Sequence, residues 1–137
     1  MELEFVILAD AANLSKEGKL NVLGAFESIG APSFPVTHPV MTVVTRLRAM
    51  PTERGRKMQI GIDLLDADGG SLASVEAETQ VPHDPAVLRP TMTLMLAVAN
   101  LVIPAPGEYS FRVSVNGEER GSRPFTARLL PSAPALE

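Results

Sequence analysis

The stretch Pro106-Gly107-Glu108-Tyr109-Ser110-Phe111-Arg112-Val113-Ser114-Val115-Asn116-Gly117 decides the fold of this chain. From Tyr109 to Val115 apolar residues alternate with polar ones, which is the two-residue period of a strand with one face in a core and the other in water. A Pro-Gly pair precedes this segment and an Asn-Gly pair follows it, and both pairs are typical of turns. The segment also contains the only Tyr and one of the five Phe. We therefore expect the core to pack around its inner face.

Length and composition indicate a globular protein. A chain of 137 residues can bury a core without support from metals or disulfides. Apolar residues make up 45% and charged residues 20%, and no apolar run reaches the roughly 20 residues of a membrane span. We predict one domain over residues 1–130 and a flexible C-terminal tail, rich in Pro and Ala, over residues 131–137.

The charge distribution argues against several classes of function. Glu2 and Glu4 lie where a signal peptide has basic residues, so we expect a cytoplasmic protein with no membrane partner. The absence of Cys excludes disulfides and thiolate catalysis. The net charge of -4 gives no basic field, and 4% aromatic residues give few stacking platforms. Nucleic acid is therefore not expected as a partner.

Seven further segments have strand-like patterns and are separated by turn residues. They span residues 2–11, 19–29, 40–50, 58–64, 73–81, 91–103 and 123–130. The resulting eight strands predict an all-β fold, a two-sheet antiparallel β-sandwich of immunoglobulin-like or related Greek-key type. A closed barrel is the alternative. The proline-rich segments 30–39 and 82–90 favour the sandwich, because they are typical of connections in which the chain changes sheets.

The register of two hairpins follows from the side chains that must face the core. A two-residue loop at Asp68-Gly69 pairs every inner residue of strand 58–64 with an inner residue of strand 73–81, whereas a three-residue loop sets Leu64 against Ser74. A two-residue loop at Asn116-Gly117 would instead turn charged residues toward the core. We therefore predict a two-residue loop in the first hairpin, and a longer loop or a bulge near Gly121 in the second.

Residues in the connections provide candidate metal ligands. His38 and His83 each lie next to a Pro, and His83 precedes Asp84, so the three would share a metal if both connections met at one end of the fold. Catalytic zinc usually has three protein ligands with a characteristic spacing, which is missing here. Solvated loop histidines are the favoured interpretation, and no metal or cofactor is predicted. Likewise, Asp66-Ala67-Asp68-Gly69-Gly70 resembles the start of a calcium loop, but it lacks the later ligands and suits a turn better.

Other polar residues are candidates for binding. Asp10 and Asn13 lie at and just after the end of the first strand, where residues 12–18 are predicted to form a loop, and turn formation alone would explain both residues. Arg46 and Arg48 point outward from strand 40–50 and would form either a recognition patch or a surface ion lattice with outward acids of strand 73–81. No Gly-x-Ser-x-Gly elbow and no glycine-rich phosphate loop occurs, so the sequence favours a protein that is not an enzyme.

Segment 91–103 has two apolar faces, with Leu94 and Leu96 on one and Met95 and Ala97 on the other. Two apolar faces need two covers, and Met suits an adaptable contact surface. We therefore expect a non-enzymatic protein-interaction or structural module, with a homodimer as one form of the interaction. The alternative is a small-molecule or metal-binding protein that uses loop residues at one end of the sandwich. A sugar-binding sandwich is a third hypothesis, weakened by the absence of Trp.

The chain resembles an uncharacterised family of small bacterial proteins. The resemblance rests on Ala9-Asp10-Ala11-Ala12, on Gly18-Lys19-Leu20-Asn21-Val22-Leu23-Gly24-Ala25-Phe26, and on the late Pro106-Gly107-Glu108-Tyr109-Ser110-Phe111. The pattern Ala-Asp…Gly-Lys-Leu-Asn-x-Leu-Gly-x-Phe is its most specific part. The resemblance implies a stand-alone bacterial domain of unknown function and assigns no ligand or catalytic residue.

Overall fold

The structure, a computed structural model, describes residues 1–131. This part of the chain contains a short 3-10 helix, Pro51–Glu53, and nine strands. The strands are β1 (Glu2–Leu14), β2 (Leu20–Phe26), β3 (Ser28–Ala31), β4 (Val36–Arg48), β5 (Lys57–Leu65), β6 (Ser71–Gln80), β7 (Thr91–Ile103), β8 (Gly107–Val115) and β9 (Glu118–Leu129). No helix of the described residues is long and apolar enough to cross a membrane. The predicted tail, apart from Pro131, lies outside the described residues.

The strands form two sheets packed face to face. Sheet A has the order β2-β1-β4-β7, and sheet B has the order β3-β9-β8-β5-β6. All neighbours are antiparallel except β3 and β9, which are parallel. The prediction of an all-β two-sheet sandwich is confirmed, and both proline-rich connections carry the chain from sheet B to sheet A.

The predicted strand 19–29 is two strands in the structure. The chain leaves sheet A at Phe26 and enters sheet B at Ser28, so only Glu27 separates β2 from β3. The strand-like pattern of side chains continues across Glu27, because this pattern does not depend on which sheet a residue joins. Two neighbouring predictions are also wrong: β1 extends to Leu14, beyond the predicted end at residue 11, and β4 starts at Val36, inside the predicted connection.

The first hairpin has the predicted pairs but not the predicted loop. From Met58 to Leu64 every facing pair is as expected. The loop, however, has three residues between Asp66 and Gly70. The backbone N–H of Asp66 donates a hydrogen bond to the carbonyl of Gly70 at 2.9 Å. The Asp66 carboxylate also accepts hydrogen bonds from the N–H groups of Asp68 at 2.9 Å and Gly70 at 2.8 Å. The extra loop residue is offset by a bulge at Leu72, which restores the inward register.

The second hairpin combines a two-residue loop with the predicted bulge. Asn116 and Gly117 have φ values of +52° and +84°, as a type I′ turn requires, so the longer loop is not formed. The register shifts between Val113 and its neighbour, and the partner strand skips Arg120 just before Gly121. The bulge is therefore confirmed, and it explains how a short turn coexists with an apolar inner face farther along β9.

The core lies between the sheets and is centred on β8, as the sequence predicts. Tyr109 and Phe111 are buried, and both rings stack on Phe125, with centroids at 5.5 and 5.6 Å. The Tyr109 hydroxyl donates a hydrogen bond to the backbone oxygen of Ala105 at 2.6 Å. Since β8 is the middle strand of sheet B, its alternating apolar residues anchor strands on both sides.

Candidate interaction surface

The outward side of sheet A, which we call the outer face, carries apolar side chains from all four strands. Its centre consists of two cross-strand rows, Ile7-Val44-Met95 and Ala9-Thr42-Ala97. Because Val43 belongs to the core between the sheets and side chains alternate along a strand, Val44 must point the other way. Val44 and Ala9 lie on this face and are each 0% exposed, so the exposed apolar area of the face comes from the residues around them.

Several larger apolar side chains on this face are exposed. Leu23 of β2 is 68% exposed and Met95 of β7 is 37% exposed, and Val40 of β4 is also open to solvent. The centre of the face contains no charged residue. The structure therefore shows the second apolar side of β7 without a cover within residues 1–131.

One end of the outer face carries an oriented cation. The Arg46 guanidinium carbon lies 5.5 Å from the centroid of the Phe5 ring, and Arg46 Nε donates a hydrogen bond to Thr93 Oγ1 at 3.1 Å. Arg48 forms an ion pair with Glu4. Among the described residues, no carboxylate lies within 4.0 Å of the Arg46 guanidinium. Arg46 is thus held in place by an aromatic ring and a hydroxyl, with its charge available to a partner.

The predicted binding residues fall into two places. Asn13 follows Ala9 by four positions on β1, so it lies on the outer face with Arg46 and Arg48 but at the opposite end, where Asn21 Nδ2 donates to Asn13 Oδ1 at 3.0 Å. Asp10 has the opposite orientation. Its carboxylate lies so close to Gly24 that a Cβ at position 24 would collide with it.

The predicted ion lattice between arginines and acids is not formed. Glu76 and Glu78 belong to sheet B, on the other side of the sandwich from Arg46. Glu76 Oε2 accepts a hydrogen bond from Gln59 Nε2 at 3.2 Å, and Glu78 lies 3.9 Å from Lys57 Nζ. The two groups of charges are therefore separated by the core.

The structure does not bring the two histidines together. His38 lies in β4 opposite Leu101, whereas His83 lies in the connection that precedes β7 at Thr91. Ten residues of strand separate these levels, or about 33 Å. The shared site for His38, His83 and Asp84 is therefore not formed, because the two connections lie at opposite ends of the sandwich.

Each of these residues has a local contact instead. His83 lies against Gly55, and its Nε2 is 3.1 Å from Gln80 Nε2. The Asp84 carboxylate accepts a hydrogen bond from the N–H of Ala86 at 2.9 Å, within its own connection. In the part of the chain that the structure describes, no group of three His, Cys, Asp or Glu residues could hold a metal ion.

His38 and Asp10 line one hollow of about 430 Å³ at the end of the sandwich. The His38 ring packs against Phe26, with ring centroids 5.9 Å apart. Sequence reasoning assigned Asp10 to the binding candidates and His38 to the metal candidates, whereas the fold places both beside the same hollow. Two donors are fewer than the three that catalytic zinc usually takes.

Among residues 1–131, Asp63 is one of two carboxylates whose pKa is lowered, the other being Glu53. A hydrogen bond from the Ser74 hydroxyl lowers the pKa of Asp63, burial opposes this effect, and the Arg112 guanidinium at 3.0 Å lowers the pKa further. These residues lie on adjacent strands of sheet B and connect β6, β5 and β8. Asp63 Oδ1 accepts the hydrogen bond from Ser74 and Oδ2 accepts the one from Arg112, so both oxygens hold neighbouring strands together.

Sequence reasoning missed an apolar cleft between the edge strands β6 and β7. One part has a volume of about 250 Å³ and is lined by Ile62, Leu96 and Phe111, among others. A smaller part of about 110 Å³ continues past Val75 and Ala77. The signal for the cleft was the small inner side chains of segment 73–81, which are too short to reach the opposite sheet.

Within residues 1–131, these features define a β-sandwich domain with apolar side chains exposed on one sheet face and with one open side. The model of a family of unknown function, DUF6941, matches residues 4–128, and the chain belongs to this family. The resemblance to an uncharacterised family is therefore confirmed, and its bacterial origin stays a prediction.

The other comparisons add little about function. No curated protein matches the chain. Among solved structures, it is similar to the alkylpurine DNA glycosylase AlkC of Pseudomonas fluorescens bound to DNA containing an abasic site analog. The identity is 12% and the TM-score is 0.45, and the match covers 90% of this chain but 30% of the glycosylase chain.

Proposed function

We propose that this protein is a non-enzymatic protein-interaction module and that the outer face of sheet A binds the partner. The observation that carries the proposal is that this face, which no element of residues 1–131 covers, exposes Leu23, Val40 and Met95. Contiguous apolar patches of this kind on a folded protein mark interaction sites more often than isolated exposed residues do. The cytoplasmic location and the lack of nucleic-acid or membrane partners stay predictions from the composition.

The chemistry of the face specifies the partner. Specific interfaces have an apolar centre and a polar rim, and Arg is enriched among the residues that contribute most to affinity. Here the rim is formed by Arg46 and Arg48 at one end and by Asn13 and Asn21 at the other. The complementary partner is a protein surface with a flat apolar centre and a carboxylate placed to meet Arg46.

The dimensions of the face agree with a moderate interface. Four strands spaced about 4.8 Å apart and roughly eight residues long give a flat area on the order of 500 Å². A standard interface buries about 800 Å² on each partner, so this face fits the lower end of the range, which transient complexes use. We therefore expect a partner that dissociates readily.

A Cys-free chain allows a clean crosslinking test. Leu23→Cys, labelled with a photo-crosslinker, places the reagent on the outer face, and Leu88→Cys places it on a connection, where Leu88 is 78% exposed. In lysate of the native host, we expect one defined protein adduct from position 23 and none from position 88. Arg46→Glu added to Leu23→Cys should reduce the adduct at least tenfold. Equal labelling from both positions would contradict the proposal.

A second candidate function is supported by the hollow beside Asp10 and His38. A small polar ligand or a divalent cation bound there raises the unfolding midpoint in proportion to its occupancy. If this function is the correct one, millimolar Zn²⁺ raises the midpoint of the wild type and not that of His38→Ala. His83→Ala is the matched control, because that histidine lies at the other end of the sandwich.

A further inference from the structure

The four edge strands of the two sheets differ in how well they are protected against pairing with another chain. An exposed edge offers unpaired backbone groups, and natural proteins protect such edges with charges, bulges or short strands. The edge strand β3 has four residues, and β6 carries Glu76 and Glu78, which would face like charges in a self-pairing. The edge strand β2 has seven residues and is interrupted by Gly24 at a φ of +67°.

The fourth edge strand, β7, lacks these protections. It is thirteen residues long and contains no charged residue, and its regular part runs from Thr91 to Ala99 before Asn100 adopts a φ of +54°. In an antiparallel pairing of β7 with a copy of itself, no like charges would meet. By charge and by length, β7 is the edge that best fits a second copy of this chain.

The same side of the sandwich is open between the sheets. The cleft between β6 and β7 exposes apolar side chains such as Val75, and Leu96 is only half-buried. The opposite side is closed, because the chain passes directly from β2 to β3 through Glu27 and Arg123 Nε donates a hydrogen bond to the Val6 carbonyl at 3.0 Å. One contact on the open side would therefore cover both the unprotected edge and the cleft.

We propose that a second copy of this chain covers the open side, with the β7 strands of the two copies paired antiparallel about a two-fold axis. The two A sheets then form one eight-stranded sheet, and the two outer faces become continuous. A two-fold axis perpendicular to the sheet keeps outward side chains outward in both copies. Residues that face each other across the axis must therefore lie on the same side of the sheet, so both have odd numbers or both have even numbers. Full overlap of the regular part places Met95 opposite the partner's Met95, and Thr93 opposite the partner's Ala97.

The area of this contact suits a dimer. Nine residues of strand extend about 30 Å, and a two-sheet sandwich with its outer side chains is about 20 Å thick, so each copy contributes on the order of 600 Å². This value approaches the roughly 800 Å² per partner of a standard interface. The inference goes beyond the proposed function, since it concerns the edge and the open side and does not require a partner on the outer face.

Charge exchange at position 95 tests the pairing. Met95→Lys and Met95→Glu each place like charges at the axis, so sedimentation equilibrium should show dissociation constants at least tenfold weaker than in the wild type. Mixing the two variants should restore a dimer that contains one copy of each. Leu23→Glu changes the outer face on β2, which β1 and β4 separate from β7, so this variant should dimerise like the wild type.

Cysteine crosslinking tests the register independently. Under mild oxidation, Met95→Cys should form a covalent dimer with itself, whereas Thr93→Cys should crosslink rapidly only when mixed with Ala97→Cys, because disulfides need Cα atoms within about 7 Å. Leu23→Cys should crosslink at least tenfold more slowly than Met95→Cys. A wild type that remains monomeric at millimolar concentration, or a dimer weakened by Leu23→Glu and not by Met95→Lys, would overturn the proposal.

Discussion

Removal of the ring at Phe125 should reveal how much of the stability depends on the aromatic cluster around β8. Phe125 is 2% exposed and stacks on both Tyr109 and Phe111. Truncation of a buried Phe to Ala costs about 3–5 kcal/mol. For 137 residues, the entropy of unfolding is about 0.3 kcal/mol/K near the midpoint, so Phe125→Ala should lower Tm by roughly 10–17 °C.

A milder change separates ring contacts from burial. Phe125→Leu keeps most of the apolar volume and removes the two ring contacts, each of which contributes about 0.5–1.5 kcal/mol beyond burial, so we expect a loss of about 1–3 kcal/mol. Because the chain has no Trp, urea unfolding is followed by far-UV circular dichroism. Leu88→Ala is the exposed control and should stay within about 0.5 kcal/mol of wild type. A loss below about 1 kcal/mol for Phe125→Ala would show that this residue is not in the core.

Three further substitutions test local features of the fold. Because hydrogen bonds from Ser74 and Arg112 hold the folded-state pKa of Asp63 below its unfolded value, its contribution is complete above about pH 4 and is lost as the pH falls through the lowered pKa. Urea titrations at pH 7 should show Asp63→Asn destabilised by about 0.5–1 kcal/mol, with the difference vanishing toward pH 2; a constant difference would contradict this linkage. Thr45→Val should raise the free energy of unfolding by about 1 kcal/mol in the same assay, because the buried Thr45 hydroxyl has no hydrogen-bond partner among residues 1–131, and a loss of stability would imply a partner for it. Gly24→Ala should cost at least about 1–2 kcal/mol, since a φ of +67° is unfavourable for a residue with a Cβ, and a neutral result would argue against this backbone conformation.

Most of the fold follows from the two-residue period in the sequence. Alternation identifies the strands, and facing apolar residues give the register of β5 against β6 from Met58 to Leu64. The wrong predictions lie where the backbone changes sheet or forms a bulge while the strand-like pattern of side chains continues. A single residue, Glu27, carries the chain between sheets, and the bulges at Leu72 and Arg120 offset turns whose lengths differ from those that alternation requires.

The candidate metal site shows a different limit. The neighbours of His38 and His83 in the sequence are alike, since each lies beside a Pro, and nothing in either segment indicates the end of the sandwich at which it lies. That position depends on the direction of β4 and β7 and on their pairing, which are properties of the whole sheet. Arg46 illustrates the same limit, because its free charge depends on which strands neighbour β4.

The two apolar sides of β7 explain why only part of the candidate interaction surface could be predicted from the sequence. A pattern such as Leu94-Met95-Leu96-Ala97 predicts that both sides of the strand are buried. An interior strand of a sheet and an edge strand covered by a partner fit this pattern equally well. The sheet order makes β7 an edge, so its inner side is only partly covered by β6, and within residues 1–131 no element packs over its outer side. A strand with this composition at an edge would be hazardous to a monomer, since it can pair with any exposed strand. In the proposed dimer, pairing with an identical β7 would remove that hazard and create one wide outer face, so one proposal accounts for both the edge and the face.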